Sequence, residues 1–230
     1  MAKRFVYFNN NKGEFLKEEI EFEWVPGMAL SQKQKCSISL REAIHKRFPN
    51  LKVLEVSSAS ENPLGIKLSA FNLKLKTSEG SYTVEQIFQA AKVFKRAGRQ
   101  SKLLGAKSKD AKINNRKVQE NDELIAFEIF GKAFPTKPKT FFYNYIYVNA
   151  LFRHEELNKT LLNYDAFTDI RFDPKKQVNC QAEACSIYRS LKVRGLLERA
   201  IKSPDNFLEI VYPNASDEDS NDNFEQLSLF

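Results

Sequence analysis

The chain is poor in the residues that bind metals and form crosslinks. Its 230 residues include three cysteines, Cys36, Cys180 and Cys185, and two histidines, His45 and His154. An odd cysteine count without a C-x-x-C pair argues against both a disulfide framework and a zinc site, and fits reduced thiols in a cytosol. Both histidines read as surface helix residues, so a metal hydrolase would have to rely on carboxylates alone; no metal and no cofactor is expected. No apolar run approaches the ~20 residues of a membrane-spanning helix. MAKRFVYFNN has no apolar stretch after its two basic residues, so it is expected to form a first strand rather than a secretory signal. With 42% hydrophobic residues, the chain can bury one sizeable core, and a single cytoplasmic domain is expected.

Charge is unevenly distributed. Lys92 to Lys117 contains ten lysines and arginines against one acid, Asp110, whereas Pro213 to Phe230 contains five acids and no base. Setting that tail aside takes the formal charge from +7 to +12, a body suited to a polyanion such as DNA. Lys95, Arg99 and Lys102 are candidates to steer a phosphate backbone, although a basic run is also what a solvated surface looks like. PTKPKTFFYNY adds Lys137 and Lys139 beside Phe141, Phe142, Tyr143 and Tyr145, aromatics suited either to stacking a displaced base or to packing the core.

Periodicity and turn residues predict an α+β chain, mainly α-helical, with a small β-rich N-terminal part. Strands are expected at Arg4 to Phe8 and Ile20 to Trp24, a helix over Ser39 to Phe48, and a buried strand in LKVLEVSS. Helices are expected at Val84 to Ala97, Thr140 to Phe152, Glu155 to Leu162 and Ala182 to Ser190, the last ending near Gly195. The expected organisation is a β-rich and helical part over 1–59, a core over 60–212 and an acidic tail over 213–230 of the same molecule.

The densest chemistry lies between Leu64 and Phe94. An apolar run with Ser69, Phe71 and Asn72 leads through a turn at Glu79 and Gly80 into YTVEQIFQAAKVF, where Thr83 is a plausible N-cap. Glu85 and Gln89, four apart, are neighbours on one side of the helix that follows. An acid in a first turn is also favoured by the helix dipole, so Glu85 reads either as a solvated helix-start acid or as a functional carboxylate.

EQIFQAAKVF resembles the E-H-Y-F-Q-A-x-K-F signature of the NADAR family, and LSAFN resembles its F-S-N-F segment. NALFRHEELNKTLL, Asn149 to Leu162, is similar to a third family helix, and Asn179 stands where the family has an asparagine before its last helix. The resemblance spans roughly residues 60 to 195 and is nearest to members paired with DarT-type toxins, which attach ADP-ribose to guanine in DNA. It implies an N-glycosidic hydrolase that removes ADP-ribose from guanine in single-stranded DNA and acts as an antitoxin. Two departures stand out. Gln86 replaces the signature histidine, and D-x-x-W-G has no clear counterpart in FTDIRFDPKKQVN, where Asp169 or Asp173 is the aligned acid.

On that resemblance Glu85 is the first candidate to stabilise oxocarbenium character at ribose C1 or activate water. Asp169 is the second, as partner acid or ribose ligand, or else a plain turn acid. Lys67 would protonate the leaving group or form an imine with opened ribose, against its simpler reading as an exposed strand lysine. Ser69, Asn72, Gln89 and Asn179 would position phosphate or ribose, with Phe71 and Phe88 as walls. Two other outcomes stay open: hydrolysis of a phosphoribosylated riboflavin-pathway intermediate, and a non-catalytic antitoxin that binds DNA or toxin. The chain ends in Gln226, Leu227, Ser228, Leu229 and Phe230, and QLSLF resembles the bacterial sliding-clamp-binding motif. An acidic linker suits such a motif to presenting two apolar anchors to a pocket on the clamp.

Overall fold

The computed structural model describes residues 1–10 and 12–214 of the chain. The first part comprises β1 (Ala2–Asn9), β2 (Phe15–Phe22), α1 (Leu30–Arg47), β3 (Val53–Glu55) and α2 (Pro63–Leu68). A hairpin, β4 (Lys74–Thr77) and β5 (Gly80–Thr83), leads directly into α3 (Val84–Ala90). There follow β6 (Lys92–Phe94), β7 (Gly98–Arg99), a 3-10 turn at Ser101–Gly105, α4 (Ser108–Gln119), β8 (Leu124–Ile129) and β9 (Lys132–Phe134). The last part contains α5 (Phe141–Phe152), α6 (Glu155–Leu161), β10 (Ala166–Thr168), α7 (Gln181–Val193), α8 (Leu197–Ile201) and α9 (Pro204–Val211). The class is α+β with helix predominating, as the periodicities imply.

The N-terminal strands do not form a sheet by themselves. Their order is β2-β1-β10-β3, so a strand from the far end of the chain is inserted between β1 and β3. β10 runs antiparallel to β1 and parallel to β3, with Thr168 opposite Glu55. Alternate residues of β1 serve the two faces of the sheet. Val6 and Phe8 join Cys36, Leu40 and Ile44 of α1 in one cluster, and Tyr7 joins the larger helical core with α7. α5 is buried nearly all round, as an apolar helix at the centre of a domain must be.

Several boundaries differ from the sequence expectation. α1 begins nine residues before Ser39, because its buried stripe starts at Cys36 while its first turns, rich in lysine and glutamine, carry no apolar signal. The expected helix from Val84 to Ala97 stops at Ala90. Lys92–Phe94 instead pair with β8, Lys92 opposite Phe127, since β-branched and aromatic residues with a partner strand favour the sheet. The segment around Lys67 is a helix, not a strand: Asn62 accepts from the Leu64 N–H at 2.9 Å and Pro63 opens the first turn. LKVLEVSS contributes only Val53–Glu55 as strand. α7 ends at Val193, capped at Arg194, and the stop near Gly195 is as expected: that glycine's φ of 68° is the left-handed value that terminates helices. No helix among the described residues is long and apolar enough to cross a membrane.

Candidate functional site

The start of α3 is built to hold Glu85. Thr83 caps the helix by accepting from the Gln86 N–H at 3.1 Å, and Gln86 returns its own carbonyl to the Thr83 N–H at 2.9 Å. The remaining Gln86 amide donates to the Ala106 carbonyl at 2.7 Å. A glutamine in place of the signature histidine therefore closes a capping box and pins the following loop. The Glu85 N–H donates to the Ala70 carbonyl at 2.9 Å, tying the helix start to the segment after α2.

Glu85 is not a solvated acid. It is 4% exposed, and its Oε1 accepts from Gln89 Nε2 at 2.9 Å. Gln89 is held in turn by Asn115 of α4, whose Nδ2 donates to the Gln89 backbone carbonyl at 2.7 Å and to its side-chain oxygen at 3.0 Å. The same helix brings the Lys112 ammonium to 3.8 Å from Glu85 Oε1 and over the Phe71 ring, 5.3 Å from its centroid. A second lysine, Lys92, is buried beside them. Its ammonium lies 5.1 Å from the Phe88 ring centroid and donates to Gln119 at 3.2 Å. Burial lowers its pKa to about 8 against the favourable field of Glu85, and the like charge of Lys112 adds to that fall.

Asp169 follows β10 directly and is 6% exposed. Its Oδ1 accepts from the Arg171 and Phe172 N–H groups at 3.0 and 3.2 Å, and its Oδ2 from Gln181 at 2.9 Å. Gln181 takes the Ala70 N–H at 2.6 Å, which connects the β10 end to the segment before α3. At the end of the neighbouring parallel strand Glu55 accepts from Ser57, Thr168 and the Ile170 N–H, gripping the chain on both sides of Asp169. Burial first, then the charge of Asp169, raises Glu55 above the ordinary carboxylate range; burial raises Asp169 too. Gly65 lies against this grip, where an added Cβ would stand 2.0 Å from the Glu55 carbonyl oxygen. Tyr143 lies in the electrostatic reach of both Glu85 and Asp169, and burial raises its hydroxyl far above the usual range.

Other expected site residues are distributed differently. Phe71 is half-buried beside Lys112, whereas Phe88 is in the aromatic core, with ring centroids 5.5 Å from Phe127 and 5.3 Å from Tyr143. Ser69 is fully buried at the end of α2, and the exposed Asn72 donates to the Ile66 carbonyl at 2.8 Å. Asn179 is half-buried before α7, and its Oδ1 is buried without a hydrogen-bond partner among the described residues. Lys67 is exposed on the last turn of α2. Asp173 caps a turn, accepting from the Lys175 N–H at 3.1 Å. His154 contacts the Lys74 carbonyl at 2.7 Å and His45 the Leu51 carbonyl at 3.0 Å. All three cysteines are buried free thiols, and no group of metal-ligating side chains occurs among the described residues.

The basic run is partly neutralised by acids that follow it in sequence. Lys95 pairs with Glu123 at 3.1 Å, Arg96 with Asp122 at 3.7 Å and Arg99 with Glu128 at 2.8 Å. Among the described residues Lys102, Lys107, Lys109 and Lys117 are exposed and form no ion pair. Lys137 and Lys139 are exposed ahead of α5, but Phe141, Phe142 and Tyr143 are buried and pack the core. Two open surface concavities, of about 630 and 360 Å³, are walled by Lys95, Arg96 and Gln119–Glu123, and by Phe8, Phe48 and their neighbours. Neither is walled by Glu85 or Asp169, whose chemistry outweighs the size of those hollows. The QLSLF residues, Gln226 to Phe230, lie outside the described residues.

Sequence patterns pointed to Glu85, Gln89 and Asp169, but not to Lys112 and Asn115 as partners of the first two, nor to Gln181 as the partner of Asp169 or Glu55 as the grip around it. Lys92 was within reach, since it belongs to the EQIFQAAKVF segment itself. The family of DarT1-associated NADAR antitoxins matches residues 2–221, well beyond the span of the quoted motifs. No curated protein matches the chain.

Proposed function

The chain belongs to the DarT1-associated NADAR antitoxin family, and from that premise we propose that it is a hydrolase releasing ADP-ribose from guanine in single-stranded DNA. The observation that carries this is Glu85: a carboxylate buried in a first helical turn, in the segment that carries the family signature, with the Lys112 ammonium 3.8 Å from it and the buried Lys92 within its electrostatic field. In the reaction, positive charge develops at ribose C1 as the bond to guanine lengthens. Glu85 stabilises that charge or takes a proton from the attacking water, an effect worth about 10²–10⁴ in rate for general base catalysis.

The departing base needs a proton. Lys92 supplies it, because burial lowers its ammonium to about 8 and so makes it a usable acid near neutral pH. Asp169 acts as a positioning residue, since both its oxygens are already engaged by the protein. Phe71 walls the entrance. The lysines around Lys102 that form no ion pair among the described residues attract the strand, and an unpaired guanine spares the few kcal/mol of extrusion from a duplex. The terminal QLSLF would tether the enzyme to the sliding clamp and raise its local concentration at replicating DNA. Removing residues 226–230 should then abolish co-migration with purified clamp and leave turnover of a short oligonucleotide unchanged.

The test is release of ADP-ribose from single-stranded DNA bearing ADP-ribosyl guanine, with substoichiometric protein and a chelator, followed by mass. Multiple turnover is expected. No release from folded protein would reject the proposal. Hydrolysis of a phosphoribosylated riboflavin intermediate would then support the metabolite alternative, and protection only at stoichiometric amounts a binding antitoxin.

A further inference from the structure

We propose that Lys112 is a phosphate-binding residue that opens the site: a substrate phosphate draws its ammonium away from Glu85 and so frees the carboxylate. In the structure Lys112 is the partly exposed partner of the buried Glu85. Its side chain is 43% exposed and that of Glu85 is 5% exposed, and its ammonium stands over the half-buried Phe71 at the same edge. The backbone beneath it is fixed, because Asn115, one turn further along α4, is bonded twice to Gln89. Motion is therefore confined to a flexible lysine stem.

The ion pair itself is loose. At 3.8 Å it lacks the 2.7–2.9 Å geometry of a charge-assisted hydrogen bond, so an anion with better-placed oxygens competes for the ammonium. The local charge also favours an anion. The charge of Lys112 disfavours that of the neighbouring buried Lys92, and a phosphate beside Lys112 relieves that repulsion. Lysine is a compact point charge with three rotatable donors, well suited to a phosphate oxygen. The phosphate is a diester or pyrophosphate, supplied either by the ADP-ribosyl group or by the DNA backbone beside the modified guanosine. Its role in turnover rests on the assignment of Glu85 above; its binding does not.

The experiment uses the full chain and the variants Lys112→Met, which keeps the stem over Phe71, and Lys112→Arg, which keeps the charge. Inorganic pyrophosphate should raise the melting temperature of the parent and of Lys112→Arg, but not of Lys112→Met. On substrate, Lys112→Met should raise KM about tenfold, equivalent to ~1.4 kcal/mol, with kcat within about twofold and Lys112→Arg restoring most of the loss. A KM effect on both an ADP-ribosylated nucleoside and an oligonucleotide assigns the contact to the pyrophosphate; an effect on the oligonucleotide alone assigns it to the backbone. If pyrophosphate stabilises parent and Lys112→Met equally, or neither, the proposal is overturned. Stabilisation lost in Lys112→Met, with no turnover by the parent, would retain the phosphate site and reject only the assigned reaction.

Discussion

Asp169 and Glu85 are joined by a chain of three hydrogen bonds. Gln181 donates to Asp169 at 2.9 Å, Ala70 donates its N–H to Gln181 at 2.6 Å, and the Glu85 N–H donates to the Ala70 carbonyl at 2.9 Å. The end of a β-strand thereby sets the position of a helix start. This links the shared N-terminal sheet to the candidate catalytic carboxylate through buried polar groups, where an unmade bond is costly.

Replacing Gln181 by alanine strips a buried carboxylate oxygen and a buried N–H of their partner at once. The variant should lose about 2–6 kcal/mol of stability, at about 1–3 kcal/mol for each of the two unsatisfied groups. Urea unfolding measures the loss, and unchanged stability would show that the chain of bonds is not maintained in solution.

Glu85→Gln preserves size and removes the negative charge. Turnover should fall by about 10²–10⁴, the usual contribution of a general base, while the melting temperature stays near that of the parent. Full activity in a folded variant would exclude Glu85 from the reaction.

Lys92 makes stability depend on pH in a defined window. Its folded-state pKa of about 8 lies below the ordinary 10.5, so between those values the unfolded chain holds a proton that the folded protein has released. Stability relative to Lys92→Met should therefore rise with pH across that window, by up to about 3 kcal/mol, and be flat below it. Catalytic rate should move the opposite way, falling above pH 8 as the proton donor is lost. Denaturant midpoints and rates measured at several pH values check both directions.

DNA affinity should divide the basic residues by their partners. Lys102→Ala removes a cation with no ion pair among the described residues and should lower the salt dependence of binding by about one unit of slope. Lys95→Ala and Arg99→Ala should have smaller effects, because Glu123 and Glu128 already offset those charges. Titrations of a fluorescent single strand at three salt concentrations distinguish them, and equal slopes for all three variants would count against the division.

Local physics made part of this molecule legible in advance. The Thr83 cap, the i,i+4 pair of Glu85 and Gln89, the apolar α5 and the Gly195 stop are all set by residues within a few positions of one another, so the chain's order alone determines them. The same holds for the concentration of positive charge outside the tail. Tertiary structure decided what depends on distant neighbours. Lys92 to Phe94 leave the expected helix because β8, thirty residues on, offers a pairing edge. Glu55 gains its role only when β10, more than a hundred residues later, lies parallel to β3 and brings Thr168, Asp169 and Ile170 against it. Lys112 and Asn115 reach Glu85 and Gln89 because α4 packs on α3, and four of the ten basic residues of the run meet acids that lie beyond its end. Hydrogen bonds and ion pairs act over a few ångströms, and only the folded chain determines which groups stand that close.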